Sequence, residues 1–191
     1  MTGRHFEAVV IGASAGAVEA LSVLLPALPR GYPLAILIVI HLPPDKKSVM
    51  AEIMSAKCAL PVKEAEDKES IAGGTIYFAP PDYHLLVEAD KSLSLSSEEP
   101  VLFSRPSIDI LFETAADAYG AELIGIILSG ANEDGARGLK AVLDAGGAVV
   151  VQQPELAYAS AMPLAALEAC PDAIALSLEQ IASYLQKVVH A

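Results

Sequence analysis

The sequence VVIGASAGA, residues Val9 to Ala17, passes from an apolar run through a glycine-rich turn into a helical pattern. The turn carries a single hydroxyl side chain, that of Ser14, between Gly12 and Gly16. An apolar strand that leads through such a turn into a helix begins an α/β unit. Small residues are required in the turn because it is tight. The same pattern fits two kinds of site. One is a G-x-S-x-G turn that presents a serine nucleophile, and the other is a turn whose N–H groups cradle a phosphate.

Amino-acid composition limits the classes of protein to which the 191-residue chain could belong. Its residues are 53% hydrophobic and only 5% aromatic, a balance typical of α/β proteins with buried aliphatic strands. The length suits one domain, which is predicted to span residues 1–191. Twelve basic against 24 acidic side chains give a net charge of −12, which argues against nucleic acid and anionic membranes as partners.

Signals for targeting and for metal binding are both missing from the sequence. The apolar runs are too short to span a bilayer, and residues Met1–Phe6 lack the build of a signal peptide, so a cytoplasmic location is expected. Cys58 and Cys170 are too few for a disulfide framework and are predicted to be core thiols. No cluster of His, Cys and carboxylates has metal-ligand spacing, so neither a metal nor another cofactor is expected.

Short apolar runs of strand length alternate with segments of helical periodicity along most of the chain. Strands are predicted at 6–11, 34–40, 122–128, 148–152 and 173–176. Helices are predicted at 16–28, 45–56, 105–120, 136–143 and 178–189, with another beginning at Met162. The predicted apolar face of the first helix consists of Val18, Leu21, Leu25 and Leu28, and the predicted cap of the second is Asp45 or Ser48.

Residues 75–96 break this alternation. The runs 75–79, 84–88 and 92–96 alternate like the strands of an antiparallel meander, and the charged segment 63–70 is predicted to be a solvated loop. Elsewhere, the strand–helix–strand units predict right-handed crossovers between parallel strands. The predicted fold is therefore α/β, with a three-layer, doubly wound, mostly parallel and Rossmann-like sheet and a β-hairpin insertion.

Three polar residues follow apolar strands: Ser14, His41 and Asp134. In a doubly wound sheet, ligands bind at the carboxyl ends of the strands, near the point where the strand order reverses. A dinucleotide fold ends its second strand with Asp or Glu to hold a ribose, whereas His41 occupies that place here. Ser14 also replaces the second glycine of G-x-G-x-x-G, and no P-loop motif is present. The nucleophile interpretation is therefore favoured over the phosphate cradle.

A serine, a histidine and a carboxylate at neighbouring strand ends can act together in acyl transfer. Ser14 would be the nucleophile, His41 the general base, and Asp134 the carboxylate that orients the imidazole. N–H groups at the start of the helix after Ser14 could stabilise an oxyanion. The order Ser, His, Asp differs from that of an ordinary α/β-hydrolase, in which the acid precedes the histidine.

Each of these roles has a simpler alternative or a rival residue. Asp134 could merely cap the helix that follows it, because Asp is favoured at that position. Asp45 and Asp109 are rival carboxylates whose positions are more typical of helix caps. His84 is a rival base, although its alternating context is typical of a hairpin.

From Val9 to about Leu167 the chain resembles the catalytic domain of the CheB-type chemotaxis protein-glutamate methylesterases. Six short blocks in the same order carry the resemblance. They are IGASAG at Ser14, VIHLP at His41, IYFAPPDYH at 76–84, FSRPSID at 103–109, ILSGANEDGARG at 127–138 and AVVVQQPELAYASAMPLAAL at 148–167.

The resemblance implies a serine hydrolase that removes methyl esters from glutamates of methylated chemoreceptors, giving glutamate and methanol, with glutamine deamidation in many members. It assigns Ser14 as nucleophile, His41 as general base and acid, and Asp134 as orienting carboxylate. Oxyanion or substrate contacts are expected at Ala15, Ala131 and Asn132, with the family's oxyanion N–H groups falling at His41 and Ala131. A protein substrate, the cytoplasmic part of a receptor, is implied, and no cofactor.

Three positions depart from the family pattern. Ala15 stands where the family has Ser or Thr, Ala17 replaces a glycine, and Ala131-Asn132 replaces Met-Gly. An alternative is therefore a catalytically impaired domain that binds a receptor or partner, and a phosphate-binding or nucleotide-binding Rossmann-like protein is a third hypothesis. Family members commonly carry an N-terminal receiver domain, whereas Ser14 lies almost at the start of this sequence. Three explanations stay open: the receiver domain was lost, a separate response-regulator partner supplies the regulation, or the sequence is part of a longer protein.

Overall fold

Seven strands form a parallel sheet in the computed structural model, which describes residues 5–41 and 49–190. In chain order the strands are β1 (Ala8–Ala13), β2 (Ala35–Ile40), β3 (Val62–Glu64), β4 (Ile76–Phe78), β5 (His84–Val87), β6 (Leu93–Ser96), β7 (Leu123–Ile127), β8 (Ala148–Gln152) and β9 (Ile174–Leu176). The helices are α1 (Ala17–Leu24), α2 (Met50–Ser55), α3 (Ile108–Tyr119), α4 (Ala136–Asp144), α5 (Ala161–Ala169) and α6 (Leu178–Val188). Short 3₁₀ turns occupy Gly120–Glu122 and Pro154–Leu156.

The strand order β3-β4-β2-β1-β7-β8-β9 reverses at β1. From β1 the chain builds outward on one side through β2, and later on the other side through β7, with parallel pairing throughout this sheet. Such a reversal opens a crevice at the carboxyl ends of the strands, because the connections leave in opposite directions. The predicted α/β doubly wound fold is confirmed, and β5 and β6 form a separate antiparallel hairpin.

Two apolar layers cover the faces of the sheet. One layer contains side chains of α1, α2 and α6, and the other contains side chains of α3, α4, α5 and the β5–β6 hairpin. The inner strands are buried on both faces, so their side chains alternate between the two layers. This explains why the sequence of β2, AILIVI, is uniformly apolar. Among the described residues, no helix is both long enough and apolar enough to cross a bilayer.

The predicted three-stranded meander is wrong at its first strand. β4 lies between β2 and β3 and is parallel to both, whereas only β5 and β6 pair in antiparallel fashion. Ile76, Tyr77 and Phe78 are all buried, which is the pattern of an inner parallel strand rather than of a half-exposed one.

The loop predicted at 63–70 contains part of an edge strand, because β3 covers Val62–Glu64. Only three residues long and half-buried, this strand carries Lys63 and Glu64, and short charged strands are usual at sheet edges. The start of the charged segment therefore pairs with β4, while the N–H of Lys68 donates to the carbonyl of Leu93 and the carbonyl of Glu69 accepts from the N–H of Leu93.

Helix α1 is shorter than predicted and buries a different face. It ends at Leu24, and its buried side chains are Ala17, Ala20, Leu21 and Leu24. Val18 is 49% exposed, so its predicted core position is wrong, whereas Leu25 and Leu28 are buried beyond the helix end. The prediction of a cap at Asp45 or Ser48 lies outside the described residues. Cys58 packs at the margin of one core layer, and Cys170 is fully buried in the other.

Candidate active site

Ser14, His41 and Asp134 lie at the carboxyl edge of the sheet. Ser14 follows β1, His41 follows β2, and Asp134 lies in the loop between β7 and α4. Because Ala13 pairs with Ile40 across β1 and β2, Ser14 and His41 are the next residues along adjacent strands. Adjacent strands are about 4.8 Å apart, so this register places the two residues side by side.

Two glycines allow the turn around Ser14 to pack closely. A Cβ at Gly12 would lie 2.4 Å from Cγ2 of Ile108, at the start of α3. Gly16 has φ 85°, and a Cβ there would lie 2.7 Å from Cβ of Tyr158. Glycine is required at both positions. Gly12 has no room for a Cβ, and Gly16 has neither room for a Cβ nor a backbone conformation that other residues favour.

Asp134 binds the imidazole of His41. Nε2 of His41 lies 2.6 Å from Oδ2 of Asp134, the His41 side chain is 11% exposed, and Asp134 is fully buried. A carboxylate at this distance fixes the orientation of the ring. The structure therefore brings together two of the three residues selected from the sequence and places the third on the neighbouring strand.

Main-chain groups at the start of α3 hold the Asp134 carboxylate. Oδ2 accepts from the N–H of Ile108 at 2.7 Å, while Oδ1 accepts from the N–H of Asp109 and the hydroxyl of Ser107, both at 3.0 Å. Burial raises the pKa of Asp134, but the hydrogen bonds from His41 and from these N–H groups outweigh it, so its pKa is lowered. Asp134 does cap a helix, but that helix is α3 and not α4.

Asp109, at the start of α3, in turn accepts hydrogen bonds from main-chain groups at the start of α4. Its Oδ1 accepts from the N–H of Gly135 at 3.0 Å and of Gly138 at 2.7 Å, so it caps α4. The predicted role of Asp109 as a helix cap is correct, although the helix belongs to the other segment. Burial, together with the nearby charge of Asp134, raises the pKa of Asp109. The two buried aspartates thereby tie α3 and α4 together at the site.

His84 uses both ring nitrogens for structural hydrogen bonds. Its Nδ1 accepts from the N–H of Ser107 at 3.1 Å, so Nε2 carries the proton and donates to the carbonyl of Glu99 at 3.0 Å. The residue pairs with Ser96 in the β5–β6 hairpin, which confirms the hairpin position predicted from its sequence context, and it is fully buried there. His84 thus positions Ser107, which in turn contacts Asp134, and it is not placed as a rival base.

Buried polar side chains that sequence reasoning missed support the nucleophile turn. The hydroxyl of Ser129 donates to the carbonyl of Ala15 at 2.6 Å and accepts from the N–H of Ala159 at 2.8 Å. Oε1 of Gln152 accepts from the N–H of Ser129 at 2.9 Å. Both side chains lie at the ends of apolar strands, β7 and β8, so the rule that selected Ser14 could have found them.

We expect Ser129→Ala to lower the free energy of unfolding by about 1–3 kcal/mol, because it leaves a half-buried carbonyl and a half-buried N–H without their hydroxyl partner. Urea denaturation measures this change. Ser22→Ala is the matched control, since its hydroxyl meets only the exposed amine of Lys57, and it should change stability by less than about 0.5 kcal/mol. Equal effects of the two substitutions would show that the Ser129 hydroxyl does not support the turn.

The predicted oxyanion and substrate positions lie in two facing loops. The N–H of His41 donates to the carbonyl of Ala13 at 3.2 Å, so it extends the β1–β2 pairing instead of pointing into the site. Within residues 5–41 and 49–190, the N–H groups of Ala15 and Ala131 make no hydrogen bond. Oδ1 of Asn132 accepts from the N–H of Asp134 at 3.1 Å, which closes the loop before the carboxylate.

Acid unfolding tests the charge state of the aspartate pair. The lowered folded pKa of Asp134 stabilises the protein above the unfolded value of about 3.9, and this contribution is lost as the pH falls through the folded pKa. The raised pKa of Asp109 acts in the opposite sense, because its protonation favours the folded state. Between pH 6 and 3, the free energy of unfolding should fall less steeply in Asp134→Asn and more steeply in Asp109→Asn than in the parent. Identical slopes would contradict these charge states.

One group of side chains in the described part of the chain has metal-ligand spacing. His5, Glu7 and Glu122 place ligand atoms within 4.8 Å of one another at the opposite, amino-terminal edge of the sheet. Lys91 pairs with Glu7 at 2.5 Å and lies 3.9 Å from Glu122, so an ammonium already offsets part of the negative charge of this cluster.

Known proteins are similar to this chain in both sequence and fold. The model of the CheB methylesterase family matches residues 9–185. A Leptospira interrogans protein whose name includes protein-glutamate methylesterase/protein-glutamine glutaminase is 49% identical over 178 residues, which cover 93% of this chain and 92% of that protein. The protein-glutamate methylesterase/protein-glutamine glutaminase of Archaeoglobus fulgidus is 35% identical over 163 residues, or 84% of this chain but 47% of that protein.

The crystal structure of the Thermotoga maritima CheB methylesterase catalytic domain superposes on this chain with a TM-score of 0.92. The two are 32% identical, and the match covers 96% of this chain and 98% of that domain. The strand order, the hairpin and the family match therefore agree. This chain belongs to the CheB methylesterase family.

Proposed function

We propose that the chain is a serine hydrolase that converts glutamyl methyl esters of chemoreceptors to glutamate and methanol. The observation that carries the proposal is the pair formed by His41 and the fully buried Asp134, beside Ser14 at the switch point of the family's sheet. The relatives that are 49% and 35% identical to this chain have names that include protein-glutamate methylesterase/protein-glutamine glutaminase, which supports the same reaction. Residues 1–191 are proposed to act as one catalytic domain.

The proposed reaction begins when Oγ of Ser14 attacks the ester carbonyl. Because Nε2 of His41 binds Asp134, Nδ1 is the nitrogen that takes the hydroxyl proton. The imidazolium then donates this proton to the leaving methoxide, which departs as methanol and leaves an acyl group on Ser14. Water attacks the acyl group with His41 again as base, and this step releases glutamate and restores the hydroxyl.

The Asp134 carboxylate stabilises the imidazolium, and its four hydrogen bonds keep it ionised and fixed during the cycle. N–H groups at Ala15 and Ala131 are proposed as oxyanion donors, because neither makes another hydrogen bond within the described ranges. Asn132 is proposed to shape the substrate side of this loop. A glutamine side chain would react by the same steps with ammonia as leaving group, which accounts for deamidation.

The proposed substrate is the cytoplasmic domain of a methylated receptor, so the reaction is placed in the cytoplasm. A separate response regulator is proposed to control it. The receptor substrate is proposed from the family's activity, and the net charge of −12 disfavours nucleic acid as a partner.

Methanol release from a methylated receptor fragment tests the proposed function. The parent protein should release methanol and should also be labelled at Ser14 by a fluorophosphonate probe. Labelling without methanol release would contradict this substrate, and failure of both would favour a binding domain without turnover. A rise in melting temperature with common nucleotides, in the absence of labelling, would instead favour a phosphate-binding protein.

A further inference from the structure

The turn at Val101–Ser104 has a backbone that its own residues disfavour. Val101 and Ser104 exchange two main-chain hydrogen bonds, of 3.0 and 2.8 Å, around Leu102 and Phe103. Both central residues are left-handed, with φ 48° and 64°. This two-residue geometry is that of a type I′ turn, which favours Asn-Gly and strains side chains that have a Cβ.

Apolar side chains at this turn are not used by the fold. Phe103 is 104% exposed and Leu102 is 42% exposed, and nearby Leu164 on α5 is 54% exposed. A strained backbone that presents an unburied phenyl ring lowers stability and contributes no core packing. Such strain is typical of a segment retained for an interaction outside the fold.

Phe103 separates two cavities at the carboxyl edge of the sheet. A cavity of about 130 Å³ is lined by Phe103 together with His41 and Arg105. On its other side, a cavity of about 510 Å³ lies between the turn and α5, with Leu102 and Leu164 in its wall. Phe103 therefore lies between the cavity that reaches His41 and the cavity that runs along α5.

Charge on the second cavity restricts what can occupy it. Glu133 and Glu168 line it, and its lining residues in the described part of the chain include no Lys or Arg. An acidic segment would be repelled there, whereas a segment with a neutral glutamyl ester and a basic flank would be attracted. The net charge of −12 acts in the same direction.

We propose that Leu102, Phe103 and Leu164 form the docking surface for the substrate segment that carries the glutamyl ester. An apolar side chain near the ester packs on this surface, and a Lys or Arg of the same segment faces Glu133 and Glu168. This inference rests on the proposed esterase function and names what the substrate must present beside the ester. The surface determines which protein esters are hydrolysed, while the chemistry remains at Ser14 and His41.

The double substitution Leu102→Asn/Phe103→Gly tests the docking surface, because it installs the residues that the turn prefers and removes the apolar contact. We expect its melting temperature to equal or exceed that of the parent, and its hydrolysis of p-nitrophenyl acetate to stay within about twofold. Its kcat/KM on the methylated receptor fragment should fall at least about tenfold, mainly through KM. Leu164→Ser should act in the same direction, whereas Val23→Ser, at a comparably exposed position on α1, should have no effect.

Short peptides that carry one glutamyl methyl ester test the charge requirement. A peptide flanked by lysine should have at least about fivefold higher kcat/KM than the same peptide flanked by glutamate. This preference should disappear in Glu133→Gln/Glu168→Gln and weaken at high salt.

Several results would overturn the docking surface while leaving the esterase proposal intact. The first is an unchanged kcat/KM of the double variant on the receptor fragment. The second is a melting temperature of that variant below the parent's. The third is a variant that loses only its response to an added response regulator. If the parent itself hydrolyses neither the small ester nor the receptor ester, the proposed function fails first.

Discussion

Ser14→Ala is expected to abolish methanol release from a methylated receptor fragment. No other described residue at this strand end supplies a hydroxyl beside His41 on the adjacent strand. Loss of a serine nucleophile lowers kcat by about 10⁶-fold in a triad hydrolase, because the covalent step disappears and only binding and oxyanion stabilisation remain. The expected residual rate is therefore indistinguishable from background hydrolysis.

The same substitution should leave the fold unchanged. The main-chain N–H of residue 14 donates to the carbonyl of Ser129 at 2.9 Å, and alanine retains this bond. Melting temperature and near-ultraviolet circular dichroism should match the parent, and fluorophosphonate labelling should be lost. Ser22→Ala, at an exposed hydroxyl on α1, should retain full methanol release. Methanol release by a folded Ser14→Ala protein would mean that another group is the nucleophile.

Asp134→Asn is expected to lower kcat by about 10³–10⁴-fold, as loss of the orienting carboxylate does in other triads. Asp134 accepts from four donors: the His41 ring, the Ser107 hydroxyl, and the N–H groups of Ile108 and Asp109. An asparagine has one acceptor oxygen, so in either orientation its NH₂ group faces donors. The imidazole loses both its fixed tautomer and the charge that stabilises its protonated form.

The second aspartate of the pair offers a matched control. Asp109 uses Oδ1 for both N–H groups that it caps, so Asp109→Asn keeps this acceptor while removing a buried charge. Its kcat should stay within about tenfold of the parent, because it contacts neither His41 nor Ser14. Steady-state methanol release at saturating receptor measures both variants. Full activity in Asp134→Asn would show that this carboxylate is not the orienting group.

Much of the architecture could be predicted from local pattern. Uniformly apolar runs predict buried parallel strands, and the polar residue after each run marks the sheet edge where ligands bind. Ser14, His41 and Asp134 were selected in this way, and the structure places them at one edge because parallel strands end on the same side. Their roles in catalysis remain a proposal that the substitutions above will test.

Prediction from local sequence patterns failed where a segment pairs with residues that are distant in the sequence. Strand β4 and the hairpin strands have similar short sequences, but β4 is buried between β2 and β3 and therefore runs parallel to them. The caps of α3 and α4 are likewise exchanged between Asp134 and Asp109, 25 residues apart. A local rule assigns each aspartate to its own helix, because it contains no information about the neighbour across the site.

The sequence by itself determined the α/β class, the strand ends that carry polar residues, and the tight serine turn. These follow from hydrophobic periodicity and from the small side chains that a sharp turn demands. Only the tertiary structure decided what surrounds that turn. Hydrogen bonds from Ser129 hold it, reciprocal capping fixes Asp134, and a strained turn presents Phe103 beside His41. Each of these depends on contacts between segments distant in sequence, whose geometry is set by the packing of the whole domain.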